Sequence, residues 1–90
     1  MSRPQFTEQA WNEYMYWHAQ DKKTLKKINR LISDIMRSGA LCGEGKPELL
    51  KGPLFGYYSR RINEKDRLIY KVRGEDVVEI YSCKGHYEDH

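Results

Sequence analysis

The 90-residue chain contains no run of apolar residues near the roughly 20 needed to cross a bilayer, so no membrane role is expected. It has only two cysteines, Cys42 and Cys83. They do not make a disulfide framework, and without a CxxC or a His-rich companion a zinc site is not expected either. No signal peptide precedes them, so they read as reduced thiols in the cytoplasm. No cofactor or metal is implied. Acids are scarce through the middle of the chain. Residues 22–37 carry six basic residues and one acid, and residues 46–73 carry eight against three, while residues 74–90 hold one lysine and five acids. Such a balance suits a polyanion such as RNA or DNA, or an acidic protein partner, as well as a plain solvated surface. The length fits one domain, residues 1–90, with a small core that a partner can help to stabilise.

In chain order, residues 1–6 are a candidate edge strand, because Pro4 cannot donate to a ladder and belongs at an edge or a strand start. Thr7 is a good N-cap, and Phe6 and Trp11 have the spacing of a hydrophobic staple. The first helix is expected over residues 8–19, with Ala10, Trp11, Tyr14, Trp17 and His18 on one stripe read mainly as core. Asp21 caps a second helix whose apolar face is Leu25, Ile28, Leu31, Ile32, Ile35 and Met36. Lys22, Lys23, Lys26, Lys27 and Arg30 lie on its other face, and Gly39 ends it. The short gap makes the pair an antiparallel αα-hairpin. Residues 39–45 form a glycine-rich loop that fails the P-loop spacing, since Pro47 stands where Ser or Thr should follow Lys46. Pro47 is expected to extend Lys46 and stiffen the segment that holds Glu48, which Lys46 and Lys51 flank and keep ionised.

Three strands should follow, over residues 55–62, 67–72 and 77–83, joined by turns at 63–66 and 73–76 into an antiparallel meander. Leu68, Tyr70 and Val72 are assigned to the helix side, and Arg67, Ile69 and Lys71 to the other. If the turn sets Arg61 opposite Arg67, then Tyr57, Ser59 and Arg61 join that open face. A shift of one residue would separate the two arginines. Two opposed arginines repel, which an intervening phosphate relieves, or they pair with Glu48, Glu64 or Asp66. Glu48 enters the face from the preceding loop and His86 from the chain end. A carboxylate, cations and a histidine around a phosphate suit RNA cleavage through the 2′-hydroxyl. Glu48 is then the base, His86 the acid, and Arg61 and Arg67 the stabilisers of developing charge. Tyr87 can stack on a base or steer a proton, and Lys46 and Lys51 can hold phosphates.

These residues resemble the YoeB toxins of the RelE/ParE superfamily, bacterial toxin–antitoxin mRNA interferases. The resemblance runs from Trp11 to Tyr87. It covers Trp11, Tyr14 and Tyr16-Trp17, then Asp21-Lys22 and Lys26-Lys27-Ile28-Asn29, then Gly43-Glu44-Gly45-Lys46-Pro47-Glu48 with Leu50-Lys51. It continues through Ser59-Arg60-Arg61-Ile62 and Arg67-Leu68-Ile69-Tyr70 to His86-Tyr87. The ordered set is more specific than any one fragment. It implies an α+β, microbial RNase-like (RelE-like) fold, with two N-terminal helices packed on a mainly antiparallel twisted sheet. It implies ribosome-dependent cleavage of mRNA in the A site. By matching positions, Glu48 is the general base, His86 the general acid, Arg67 the transition-state cation, Arg61 a phosphate contact, Tyr87 a positioning residue and Lys51 a further site lysine.

The resemblance also implies a YefM-type antitoxin whose C-terminal segment wraps the toxin, contact with operator DNA mainly through that antitoxin, and in many members a homodimer. There are departures. Glu88-Asp89-His90 follow Tyr87, and Gly85 stands before His86 where relatives can carry an aromatic, which should leave the histidine more mobile. Rival readings are a gyrase poison of the same superfamily, a nucleic-acid or protein-binding module without chemistry, and an impaired toxin. Glu48, Arg67 and His86 together argue against the first.

Overall fold

Thr7 starts the first helix by two bonds at once. Its hydroxyl accepts from the Ala10 N–H and donates to the Tyr81 carbonyl, tying the helix start to the sheet. The computed structural model of the protein describes residues 3–74 and 77–85. Helix α1 is Glu8–Gln20 and helix α2 is Lys22–Ser38. Asp21 joins them as the last cap of one and the first of the other. Its N–H donates to the Trp17 carbonyl, while its carboxylate accepts from the N–H groups of Lys23 and Thr24. The expected staple is present, with the Phe6 and Trp11 rings 5.7 Å apart.

The strands are β1 (Arg3–Phe6), β2 (Glu48–Leu49), β3 (Tyr58–Arg61), β4 (Arg67–Arg73) and β5 (Val77–Ser82). They form one sheet in the order β1-β5-β4-β3-β2. The β1–β5 pair is parallel and the other three are antiparallel. The meander of β3, β4 and β5 is as expected, and the edge strand at the chain start does pair, with Pro4 opposite Val78 at the outer edge. Leu68, Tyr70, Val78 and Ile80 face the helices and pack with Trp17, Ile28, Leu31, Ile32 and Ile35 in the core.

Four expectations need correction. The first strand of the meander does not begin at Phe55. Gly52–Leu54 makes a 3-10 turn, Gly56 takes φ +100°, and Phe55 is exposed. Lys46 is not extended but lies at φ +52°. Both its flanks are held on β3, since Gly45 accepts from the Arg61 N–H and Glu48 pairs with Ser59, and these anchors override the preference set by Pro47. Val72 is on the helix side, opposite the buried Val78, but is exposed there rather than packed in the core. On α1 only Ala10 and Trp17 are buried. Trp11 and His18 are exposed, because the short helix turns that side of its stripe away from the sheet.

Candidate active site

The face of the sheet away from the helices is organised by register. Glu48 stands opposite Ser59, Ser59 opposite Ile69, and Ile69 opposite Ser82, so one transverse row crosses four strands. Directly opposed residues share a face, which puts the Glu48 carboxylate on the open side. Ser59, Ile69 and Ser82 are buried and make a floor of short or apolar side chains. Two pairs further along, and so on the same face, Arg61 stands opposite Arg67, the register that brings the two arginines together. The Arg67 guanidinium donates to the Asn63 carbonyl at 3.1 Å rather than to Glu64 or Asp66.

Asp66 does something else. Its carboxylate accepts from the Gly85 N–H at 2.8 Å, and the Gly85 carbonyl accepts from the Arg67 N–H at 3.0 Å. The chain is therefore fixed beside Arg67 one residue before His86. Gly85 takes φ +84°, where glycine is favoured. His86 and Tyr87 themselves, and the tail after them, lie outside the described residues.

At the other end of the face Lys71 lies over the Tyr57 ring, 5.0 Å from its centre, and the Tyr81 ring packs on Tyr57 at 5.1 Å. Tyr81 is the extra residue of a bulge, since Ile69 pairs with Ser82 while Tyr70 pairs with Ile80. Lys71 also reaches Glu79 at 4.0 Å. Lys46 and Lys51 are exposed at the two ends of the β2 segment. The structure thus brings Glu48, Arg61 and Arg67 onto one end of a face and Tyr57 and Lys71 onto the other. Among the described residues no cluster of His, Cys, Asp and Glu could hold a metal ion.

Sequence reasoning did not single out Arg60. Its side chain is fully buried on the helix side, opposite Leu68. It donates to the Tyr70 hydroxyl, Asp34, and the carbonyls of Gly39, Cys42 and Glu44. Burial pushes the Tyr70 hydroxyl up, against the pull of Arg60. Asp34 is held below the usual carboxylate range, first by the Glu44 N–H and then by Arg60. Glu44 falls to about 2 through its hydrogen bonds with Arg30 and Lys27. This clasp fixes the loop that leads to Gly45, Lys46 and Glu48. Alternation along β3 was the available signal: if Arg61 faces outward, Arg60 faces the helices and needs a carboxylate there, and Asp34 is the one acid on α2.

Two helices laid on one face of a mixed five-stranded sheet, with a cationic end to the other face, define a small α+β protein of the RelE-like fold. Comparison with known proteins narrows the class. Residues 6–87 match the model of a family described as YoeB-like toxin of bacterial type II toxin-antitoxin system. Toxin YoeB of Synechocystis is 48% identical over 83 residues, covering 92% of this chain and 94% of the relative. The Staphylococcus aureus heterotetrameric YoeB-YefM complex contains a chain of 50% identity that superposes with TM-score 0.89, over 97% of this chain and 99% of that one. The structure of a YoeB dimer from the same organism matches at 51% identity and TM-score 0.89, over 96% and 98%. The chain belongs to the YoeB-like toxin family of type II toxin–antitoxin systems.

Proposed function

We propose that this toxin is an endoribonuclease that cuts mRNA in the ribosomal A site and so stops translation. The observation that carries the reading is the row placing Glu48 two residue pairs from the opposed Arg61 and Arg67, on the same face, with Gly85 anchored beside Arg67 just before His86. Opposed guanidinium groups repel one another, and a phosphate between them relieves that repulsion. Glu48 takes the proton of the 2′-hydroxyl, whose oxygen bonds to phosphorus. Arg61 and Arg67 stabilise the added negative charge. The bond from phosphorus to the 5′-oxygen breaks and His86 protonates that oxygen, leaving a 2′,3′-cyclic phosphate and a 5′-hydroxyl. Tyr87 positions the reacting groups, and Lys46 and Lys51 hold flanking phosphates. No step requires a metal or a cofactor.

In-line attack needs the flexible RNA held in one geometry, which is the part proposed for the ribosome. The similarity to YoeB chains solved with YefM and as a dimer supports a YefM-type antitoxin partner and self-association. No helix among the described residues is long and apolar enough to cross a membrane, and the proposed place of action is the cytoplasm. The test is primer-extension mapping of an mRNA in a purified translation system, with the wild-type protein and with His86→Ala. Cuts within A-site codons that need both ribosomes and His86 are expected. Equal cutting without ribosomes would discard the A-site mechanism. No cutting by the folded protein would favour a gyrase poison or a binding module.

A further inference from the structure

A groove of about 380 Å³ lies off the proposed active face, between α2 and the turn that follows β3. Lys23, Thr24, Lys26, Lys27 and Arg30 line one side, and Ile62 and Asn63 the other. Lys27 and Arg30 both pair with Glu44, which fixes that wall in place. Lys23 and Lys26 are exposed, and Lys23 lies in the field of the Asp21 carboxylate. Among the described residues the groove therefore presents four cations, with the carboxylate of Glu44 behind Lys27 and Arg30 and that of Asp21 beside Lys23. The neighbouring Asp21 carboxylate is occupied by the helix cap and the Thr24 hydroxyl. Among the described residues no aromatic ring lines the groove, and its lysines suit sugar–phosphate contacts that carry no sequence information. The groove also adjoins the arginine end of the open face. Asn63, which lines it, supplies the carbonyl that the Arg67 guanidinium grips.

We propose that this groove is a second phosphate site, holding a backbone phosphate of the substrate RNA strand a few nucleotides from the bond that is cut. The inference rests on the ribonuclease reading for the identity of its ligand. An RNA strand leaving Arg61 and Arg67 passes around the Asn63 turn and meets Lys23 and Lys26, which hold it by charge. The site then contributes affinity and register but no proton transfer.

The test uses a short 2′-O-methyl RNA, which cannot be cut, and measures binding by fluorescence anisotropy across a salt titration. Lys23→Gln/Lys26→Gln should lower the slope of log affinity against log salt by about 1.4, two phosphate contacts at about 0.7 each on a single strand. Lys22→Gln/Lys65→Gln removes equal charge outside the groove and should change the slope by less than half as much. Equal slope changes in both double variants would overturn the site in favour of diffuse charge, as would an unchanged slope in the first. An oligoglutamate peptide of matching charge serves as a second probe. Tighter binding of that peptide than of RNA, lost in Lys23→Gln/Lys26→Gln, would overturn the RNA assignment and make the groove a seat for an acidic protein segment. Mapping of mRNA cleavage is run alongside. Cleavage by the wild type with an unchanged slope sinks the groove alone. A slope change without any cleavage leaves an RNA-binding groove and sinks the nuclease.

Discussion

Arg67 lies where three constraints meet: the opposed Arg61, the Asn63 carbonyl that orients its guanidinium, and the Gly85 carbonyl on its N–H. In the proposed mechanism a side chain held this way receives a phosphate oxygen without reorganising. Arg67→Ala should therefore lower cleavage on ribosomes by at least about tenfold, as should His86→Ala, read as single-turnover rates at saturating toxin. Arg67→Lys keeps the charge but not the planar fork, and should fall between wild type and Arg67→Ala. Near-normal rates in Arg67→Ala would remove it from the mechanism. The two cysteines call for a different measurement. Cys83 is buried, its Sγ 3.6 Å from the Ala10 carbonyl, and burial, with smaller effects from Glu13 and Asp66, pushes its thiol up to about 12. Cys42 is exposed. Alkylation of the native protein at mildly alkaline pH should label Cys42 and spare Cys83 until urea is added, as peptide mass mapping would show. Equal labelling of both in the folded protein would contradict this packing.

At the scale of elements, β3 is the strand on which both faces depend. Ser59 and Arg61 point to the open side, and Arg60 points between the sheet and α2. Arg60→Leu takes the buried partner from the Asp34 carboxylate, which keeps the Glu44 N–H and Arg37, and the side-chain donor from three loop carbonyls. Loss of one partner from a buried pair costs about 3–5 kcal/mol. We expect a fall of that size in urea unfolding at neutral pH, larger than for Arg61→Leu, whose side chain is exposed. Equal stabilities in the two variants would refute the clasp. Much of this arrangement was legible in the sequence. Thr7, Asp21 and Gly39 mark the helix ends, because caps are local chemistry. The turn at Asn63 sets the Arg61–Arg67 register, because its side chain accepts from the N–H groups of Lys65 and Asp66 and so fixes the loop length. The two-residue strand β2 and the left-handed Lys46 were not legible, since both follow from anchors on β3 that a local reading of the sequence does not reach. Nor was the binding of Gly85 to the Asp66 corner, which needs the third strand in place.

For the whole molecule, the loop over residues 39–45 joins α2 to the sheet through carboxylates, so stability and site geometry share a dependence on acid. Asp34 accepts from the Glu44 N–H, Arg60 and Arg37, and Gly43 packs so close that a Cβ there would fall 1.8 Å from the Asp34 Oδ2. Glu44 in turn holds Arg30 and Lys27. Both carboxyl groups are depressed in the folded protein, Glu44 from 4.5 to about 2. A depressed folded value means that the unfolded chain binds the proton first as pH falls. The contribution of Glu44 is thus complete above about 4.5, declines below it, and is gone once pH passes about 2. Asp34 acts in the same direction from an ordinary value of 3.8. The urea midpoint of the wild type should therefore drop steeply as pH is lowered through this window. Glu44→Gln should be less stable at neutral pH, and its gap from the wild type should narrow steadily as pH falls from about 4.5 toward 2. A gap that stays constant with pH would mean that the Glu44 charge contributes nothing to folding and that its carboxylate only fills space between Arg30 and Lys27. The same substitution removes the group that fixes one wall of the basic groove, so its effect on the salt dependence of RNA binding, measured at neutral pH, reports whether Lys27 and Arg30 must be held in place or only be present.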